Sequence, residues 1–484
     1  MNLFAQTIAE TSASTELVCP LVGQGAHNGT NPTSDHQPDL NLFGTDLGFS
    51  FRHGKHLMML FGDTWHKPDA ICGPELSSDD VVGWIKLSEE DNPDNCLDIH
   101  FPVDDADTVR NLKVIHGGQE QPMGALRTPH AGWSDHQNLY GIFTGDARPC
   151  GPGLDLCPAD LQCVKMPVYS GNYCADPTSS VKAESELLNF QTRAAVRYIA
   201  RSAGPDSQAP ENFIVGHTFL TNKFLNPSAR VVKHFDEGNP VNNKYESGET
   251  PGNVLIWGRP GFFKLNGGGT LDLYLLHHPL STLDGPGDTI NWQPRYFAGL
   301  ADDDTPTWTF NQAAAVPVIE NEEIGKVLQH SVAWVRSLQR FVMLYSGRLP
   351  RDGPFTNAGI FLRTAPHPWG PWSKPAMIWK AAKNGAYKCP GIMYGNWANG
   401  PQCPASDPYR PDLKPNEGLN NCPLPTDMLN QDLGVEYGVN ILDHFTRPGK
   451  NIGEATIYWN LSTWNPYRVV LMKTHLNNQI LQSP

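Results

Sequence analysis

Two apolar runs flank a short turn in the stretch Gly44-Thr-Asp-Leu-Gly-Phe-Ser-Phe-Arg-His-Gly-Lys-His-Leu-Met-Met-Leu-Phe-Gly-Asp-Thr-Trp65. The pair Gly54-Lys55 between runs rich in Phe, Leu and Met predicts a β-hairpin with a two-residue loop. An aspartate stands near the open end of each strand, Asp46 in the first and Asp63 in the second. Both lie eight positions from the turn, so the hairpin register predicts that the two side chains face each other.

Two opposed aspartates are suited to acid and base catalysis. Directly opposed side chains have Cβ atoms roughly 5 Å apart. Like charges at that distance disfavour joint ionisation, so we expect one carboxyl to hold a proton while the other stays ionised. This division supplies both an acid and a base. The alternatives are that one aspartate caps a turn while the other holds a backbone amide, or that the register slips by one residue.

The composition favours one large all-β unit. The chain has 484 residues, with 45 Gly, 42 Pro, 10% aromatic residues and only 18% charged residues. Many short strands joined by turns have such a composition. The formal net charge of −14 argues against nucleic acid as a partner, because phosphate binding needs clustered Lys and Arg. An uncharged or cationic ligand is expected instead.

Cysteine usage predicts an oxidising compartment. Four of the ten cysteines crowd into the Gly/Pro-rich stretch 149–177, which we interpret as a small disulfide-rich insert. Zinc is the rival interpretation, but the spacing lacks the two-residue gap of a zinc knuckle. Connectivity cannot be derived from the sequence. The clustered residues are Cys150, Cys157, Cys163 and Cys174, and the others include Cys19, Cys72, Cys96, Cys389, Cys403 and Cys422.

The start of the chain lacks the basic and apolar segments of a signal peptide, and no run of apolar residues is long enough for a membrane span. We therefore expect no membrane span and a monomer. Because the cysteines indicate an extracellular protein, we expect the protein to be secreted. The export signal would then have been trimmed, or the given start is internal.

Apolar runs of four to eight residues, bounded by turn residues, form about five groups. Such grouping predicts a five-bladed β-propeller, and a pair of packed sheets is the alternative. The expected division is an N-terminal extension over 1–40, one propeller over 41–475 and a tail over 476–484. Two inserts interrupt the propeller, the cysteine-rich stretch 149–177 and a long loop over 380–436.

Four motifs carry a resemblance to a known family. They are Thr45-Asp-Leu-Gly-Phe49, Leu60-Phe-Gly-Asp-Thr-Trp65, Pro368-Trp-Gly-Pro-Trp372 and Leu461-Ser-Thr-Trp-Asn-Pro-Tyr-Arg-Val-Val-Leu471. With these motifs the chain resembles the five-bladed propeller glycoside hydrolases long filed as a domain of unknown function, which include bacterial endo-D-arabinanases. The resemblance extends from about residue 40 to 474, and both inserts depart from it.

The resemblance implies that Asp46 and Asp63 are the catalytic carboxylates of an inverting hydrolase. Inverting pairs usually lie roughly 6.5–9.5 Å apart, which is wider than a directly opposed hairpin pair. Either the side chains splay or a third carboxylate takes part. The candidates for that third group are Asp135, Asp272, Asp443 and Glu454.

Four further residues are candidate substrate ligands. Trp65 and His66 follow Asp63 and are expected at the pocket rim, where a ring can stack on a sugar; packing between blades is the alternative for Trp65. Gln329 and His330 open the inner strand of the fourth group, and a structural clamp is their alternative, as it is for Arg259, Arg295 and Arg348.

The sequence offers no phosphate loop, serine elbow or zinc motif, so we expect no cofactor and no catalytic metal. The run Asp302-Asp-Asp304 could hold structural calcium, although an acidic turn is usually solvated surface.

The expected function is therefore that of a secreted glycoside hydrolase acting on a polysaccharide or oligosaccharide, within a furanose polymer such as D-arabinan. The alternatives are a non-catalytic carbohydrate-binding propeller and a hydrolase of the same fold that acts on another glycan.

Overall fold

The computed structural model describes residues 14–23, 40–42, 44–66, 79–88, 92–106, 108–121, 123, 128–145, 151–152, 162–166, 171–175, 196–203, 212–221, 223–237, 243–246, 252–259, 272–320, 326–348, 358–379, 436–463 and 468–477.

These residues form twenty-five strands, and their only helical segments are four short 3-10 turns. The strands are β1 (Ser14–Gly23), β2 (Gly44–His53), β3 (His56–Trp65), β4 (Asp79–Lys86), β5 (Lys113–His116), β6 (Gln119–Gln121), β7 (Pro129–Ser134), β8 (Asn138–Thr144), β9 (Gln162–Met166), β10 (Gly171–Ala175), β11 (Val196–Ala203), β12 (Asn212–Leu220), β13 (Asn226–Lys233), β14 (Gly252–Arg259), β15 (Tyr274–Pro279), β16 (Arg295–Leu300), β17 (Pro306–Thr309), β18 (Lys326–Val335), β19 (Arg340–Arg348), β20 (Ala358–Ala365), β21 (Ala376–Trp379), β22 (Glu436–Ile441), β23 (Arg447–Pro448), β24 (Ala455–Thr463) and β25 (Arg468–Leu476). The 3-10 turns are Pro93–Asn95, Leu280–Thr282, Gln312–Ala314 and Asp443–Phe445.

Five sheets form the blades of a propeller. In order from the centre outwards, blade 1 is β2-β3-β4, blade 2 is β7-β8-β11-β12-β5-β6, blade 3 is β13-β14-β15-β16-β17, blade 4 is β18-β19-β20-β21 and blade 5 is β22-β24-β25-β1. The innermost strands β2, β7, β13, β18 and β22 contact one another in a closed ring. The prediction of an all-β, five-bladed propeller is confirmed.

Burial on both faces explains the continuous apolar runs of the sequence. Every residue of β3 after His56 is buried, as expected for a strand covered on two sides. Within the described residues, five buried apolar clusters lie between neighbouring blades, one at each of the five interfaces. The ring is therefore held by blade-to-blade packing.

The first described strand, β1, is part of the propeller. Strand β1 pairs antiparallel with β25 and forms the outer edge of blade 5, so residues 14–23 belong to the propeller sheet and not to an extension. A disulfide joins Cys19 of β1 to Cys96, which lies in the loop after blade 1, with a Cα–Cα distance of 5.9 Å. The strand pairing connects β1 to blade 5, and the disulfide connects it to the loop after blade 1.

The cysteine-rich stretch contains a hairpin of β9 and β10, in which Cys163 faces Cys174. Cys163 is disulfide-bonded. Cys72, Cys150, Cys157, Cys389, Cys403 and Cys422 lie outside the described residues, as does the expected loop over 380–436 except for Glu436, which begins β22. The described part of the chain contains no helix with the length and hydropathy needed to cross a membrane.

Arg230 of β13 bridges the inner strands of several blades. Its Nη1 donates to the carbonyl oxygen of Ser50 in blade 1 at 2.7 Å, and its Nη2 donates to that of Ile441 in blade 5 at 2.7 Å. Nη2 also lies 3.3 Å from Ser331 Oγ in blade 4. One guanidinium from blade 3 thus reaches three other blades across the centre of the ring.

Removal of the Cys19–Cys96 bond should destabilise the propeller. The bond closes a loop with a sequence separation of 77, and the chain-entropy model gives about 4 kcal/mol for a loop of that size as an upper value. We expect the double variant Cys19→Ser, Cys96→Ser to unfold at a lower urea concentration than the wild type in non-reducing buffer. Equal midpoints would show that the bond does not stabilise the ring.

Candidate active site

The five inner strands begin at the same end of the channel, which we call the mouth. Three contacts demonstrate this alignment for β22, β2, β18 and β13, and Thr128, just before β7, lies close to Gly62 beside Asp46. The Tyr437 hydroxyl of β22 donates to Asp46 of β2, the Gly438 N–H donates to Gln329 Oε1 of β18, and the Val332 N–H donates to Ser228 Oγ of β13. The starts of neighbouring inner strands therefore meet around one opening.

Asp46 lies at this mouth with only 5% of its surface exposed. Its Oδ2 accepts the Tyr437 hydroxyl hydrogen bond at 2.8 Å. Across the hairpin it faces Gly62, where an added Cβ would lie 2.8 Å from Asp46 Oδ1 and 3.0 Å from Thr128 Cγ2. Glycine at position 62 thus leaves the space that the Asp46 carboxylate occupies between blades 1, 2 and 5.

The register prediction is correct near the turn and wrong at the mouth. Residues pair as expected from His53 and His56 through Phe49 and Leu60, but Asp46 faces Gly62 and not Asp63. A bulge at Gly48 shifts β2 by one residue. Bulges change the direction of side chains and are frequent beside active sites.

Contacts from blade 5 hold this bulge. Leu47 has φ 65° and Gly48 has φ 81°, a backbone conformation that is costly for leucine. The Leu47 N–H donates to Ser462 Oγ at 2.7 Å, and Asn460 Nδ2 donates to the Leu47 carbonyl at 2.6 Å. Blade 5 therefore supports the strained backbone beside Asp46.

Asp63 lies in a second bulge, on the neighbouring strand β3. Asp63 and Thr64 together oppose Thr45, and Asp63 has φ 33°. The Asp63 N–H donates to Asp80 Oδ1 at 2.9 Å, while the hydroxyls of Thr45 and Thr64 lie 2.8 Å apart. Asp46 and Asp63 are thus in adjacent strands at the mouth without facing each other.

Asp80 is a third buried acid at this corner of blade 1, with 0% exposure. Sequence reasoning missed it, although the pair Asp79-Asp80 directly precedes the apolar run of β4. Asp135 and Glu454 instead accept hydrogen bonds within their own turns. Asp272 accepts from Tyr274 next to the third strand of blade 3, and Asp443 lines a cavity with Arg52 and Arg230.

Four buried polar atoms, one each from blades 2 to 5, add to the mouth. Within the described part of the chain, three of them have no hydrogen-bond partner, and the fourth, Glu436 Oε1, has the Trp379 side chain beside it. Burying such atoms unpaired costs about 1–3 kcal/mol each, which indicates a site that a polar ligand or water completes. The atoms are Thr128 Oγ1, Asn226 Nδ2, Gln329 Nε2 and Glu436 Oε1.

The orientation of Gln329 follows from chemistry. A backbone N–H can only donate, so the amide oxygen must face Gly438 N. The Nε2 group is then left with two N–H donors at a residue that is 1% exposed. A sugar hydroxyl is a suitable acceptor for them.

The other predicted ligands have structural contacts. Trp65 is 7% exposed and packs in a buried cluster with Leu47 and Tyr437. Both ring nitrogens of His66 are engaged, with the Asn41 carbonyl at 3.1 Å and Asn111 Oδ1 at 2.8 Å. His330 Nε2 lies 3.2 Å from the Trp257 carbonyl. Of the four, Gln329 is the one that belongs to the polar atoms at the mouth.

Buried arginines support the surrounding strands. Arg197 donates through Nε and Nη2 to the Leu225 carbonyl, at 3.0 and 2.8 Å, and so fixes the residue before Asn226. Arg259 is fully buried and pairs with Asn226 in register. Burial lowers the pKa of both guanidinium groups to about 9, so both remain cations at neutral pH.

Metal binding has no support among the described residues, which contain no cluster of three or more His, Cys, Asp or Glu side chains arranged to hold an ion. The run Asp302–Asp304 forms an exposed turn in which the Thr305 N–H donates to Asp303 Oδ1 at 3.1 Å. Structural calcium at this turn stays a prediction.

The ring of five sheets and its polar mouth define the class of protein: a five-bladed β-propeller with a candidate active site at one end of the ring. Residues 287–473, which span the end of blade 3 and blades 4 and 5, match a family described as a domain of unknown function (DUF4185). No protein with a curated description matches the chain.

Several solved structures are similar to the chain over most of its length, with TM-scores below 0.5. An N-acetylgalactosamine deacetylase from F. plautii has 7% sequence identity and a TM-score of 0.42, covering 96% of both chains. The α-L-arabinofuranosidase of Podospora anserina has 10% identity and a TM-score of 0.35, covering 95% of both chains. A glycosyl hydrolase from Bacteroides ovatus has 7% identity and a TM-score of 0.35, covering 90% of this chain and 84% of its own. The similarity concerns the fold alone.

Glu436 gives the mouth a testable pH dependence. Burial of its carboxyl raises the pKa from 4.5 to about 7, so the folded protein retains a proton that the unfolded chain releases between these values. Stability is then fully present below pH 4.5 and is lost as the pH rises through 7. The difference between the two pKa values corresponds to about 3 kcal/mol. Partial exposure of the residue makes the actual loss smaller.

We expect Glu436→Gln to remove this decline, measured as the free energy of unfolding in urea at pH 5 and pH 8. Glu454→Gln is the matched control, because the hydrogen bonds of Glu454 to Asn451 lower its pKa. An equal decline in the wild type and Glu436→Gln would contradict the assignment.

Proposed function

We propose that the protein is a secreted glycoside hydrolase that cleaves within a furanose polymer such as D-arabinan, with its chemistry at the mouth. The observation that carries this proposal is the buried Asp46 carboxylate, held by Tyr437 at the mouth, where buried polar atoms of blades 2, 3 and 4 lack hydrogen-bond partners within the described residues. A neutral polyhydroxylated ligand can satisfy both the donors and the acceptors of such a ring.

Asp46 and Asp63 are the proposed acid and base. Asp46 already accepts a hydrogen bond from Tyr437, which suits the base, and Asp63 then serves as the acid. Asp46 takes a proton from water, the water oxygen bonds to the anomeric carbon, the glycosidic bond breaks and Asp63 gives its proton to the departing oxygen. The two bulges support this pairing, because they remove the direct opposition that was too close for an inverting mechanism.

The substrate class rests on the motif resemblance and on the net charge of −14, which favours an uncharged glycan over a polyanion. The match of residues 287–473 to the domain of unknown function agrees with that resemblance. Secretion is supported by the Cys19–Cys96 disulfide, since such bonds persist in oxidising compartments. We further propose that the protein acts as a monomer.

The test is incubation with mycobacterial arabinogalactan and measurement of released reducing ends. We expect the wild type to release oligosaccharides. Because a positioned acid or base contributes roughly 10²–10⁴-fold to the rate, Asp46→Asn and Asp63→Asn should each lower it at least about a hundredfold. Asp302→Asn is the matched control, since Asp302 is an exposed aspartate in a distant turn.

Full activity of both mouth variants would place the chemistry elsewhere. Glycan retention without any release by the wild type would favour a binding propeller over a hydrolase. The anomer first released, followed by proton NMR, tests the inverting step: retention of configuration would exclude it.

A further inference from the structure

A second groove lies on the flank of the propeller, between the outer strands of blades 2 and 3. It has a volume of about 530 Å³ and is lined by residues of β12, of the segment before β16 and of the segment after β17. None of its residues lies on an inner strand, so it is separate from the mouth. The volume is in the range of sites that hold small molecules.

An exposed aromatic ring stands in this groove. Phe310 is 66% exposed and is one of three large exposed hydrophobic residues in the described part of the chain. The Arg295 guanidinium carbon lies 5.0 Å from the centre of its ring. Because the cation occupies one face, the opposite face is the one available for stacking on a ligand.

A buried hydrogen-bond donor lines the same groove. The indole of Trp292 is 7% exposed, stacks on His278 at 5.1 Å and meets Phe219 edge-on at 5.9 Å. Its Nε1–H is buried, and no acceptor lies within hydrogen-bond distance among the described residues. A buried indole N–H normally has a partner, so an acceptor from a bound molecule would complete the site.

The remaining lining combines Phe219, Pro294 and Tyr296 with polar, uncharged side chains. Gln293 and Gln312 contribute amides, and His217 contributes an imidazole whose pKa burial lowers, so it is neutral at neutral pH. None of the described side chains that line the groove carries a carboxylate or an ammonium group. Arg295, the cation beside Phe310, is paired with Glu237 at 2.9 Å. Aromatic faces combined with neutral donors and acceptors therefore fit a polyol.

We propose that this groove is a second carbohydrate-binding site, which holds a sugar unit of a neutral polysaccharide away from the mouth, with Phe310 stacking on the ring and Trp292 Nε1 donating to an oxygen. The proposal rests on the proposed function for the choice of ligand. Such a site would retain the polymer on the protein between cleavage events and would have little effect on short oligosaccharides that occupy the mouth alone.

The test is affinity electrophoresis in gels containing mycobacterial arabinogalactan, with all proteins in the Asp46→Asn background so that the polymer stays intact. Loss of one stacking contact should weaken retention roughly five- to tenfold in Phe310→Ala. Trp292→Phe keeps a ring but removes the donor, and should weaken retention to a smaller extent. Ile452→Ala is the matched control, because Ile452 is 97% exposed on blade 5.

A second measurement separates this proposal from the function of the mouth. In the otherwise wild-type protein, Phe310→Ala should raise KM for the polymer and leave the hydrolysis of short arabino-oligosaccharides unchanged. If Phe310→Ala and Trp292→Phe are retained as strongly as the parent, or if the parent is not retained at all, the second site is excluded. Because retention does not require cleavage, retention by the groove in a protein that hydrolyses nothing would overturn the proposed enzyme while supporting the site.

Discussion

One buried cation, the guanidinium of Arg230, makes four of the five blades depend on one another. It donates to carbonyl oxygens of Ser50 and Ile441 and approaches Ser331, so blade 3 is connected to blades 1, 5 and 4. A charge taken out of water is costly unless surrounding groups solvate it. These acceptors come together only when the ring is closed. An incomplete ring would leave the buried charge without some of its acceptors, so partly assembled rings are less stable than the closed one.

The mouth combines a strained backbone at Leu47 with a fixed orientation of the Asp46 side chain. Leu47 holds a left-handed backbone conformation because Ser462 and Asn460 of blade 5 bind its N–H and carbonyl group. The neighbouring Asp46 is oriented by Tyr437 of the same blade. A local distortion in blade 1 is thus maintained by blade 5. Strained backbone that is held by distant parts of a fold is a frequent property of functional sites.

Local chemistry allowed much of the fold and part of the site to be predicted. The Gly54-Lys55 turn and its flanking runs specify the hairpin, and the grouping of short apolar runs specifies the blades. The register slip at Gly48 depends on side chains more than 400 positions away, so no local pattern indicates it. The same applies to β1, whose partner β25 lies at the other end of the described chain. Glu436 and Tyr437 were missed because they follow a long stretch without strand pattern, whereas Gln329 was found because it opens an evident strand.

The edge position of β1 has a consequence for how the protein is made. During synthesis, β1 has no strand to pair with until β25 has been made. The apolar residues of β1 therefore stay unpaired while the first four blades form. Pairings of such large sequence separation are slow and leave open sheet edges exposed to aggregation. The Cys19–Cys96 bond needs only blade 1 and the loop after it. Oxidation at that stage would hold β1 beside blade 1, next to the position of blade 5 in the folded protein. Strand β25 would then find its partner β1 close to blade 1 and not anywhere along the chain.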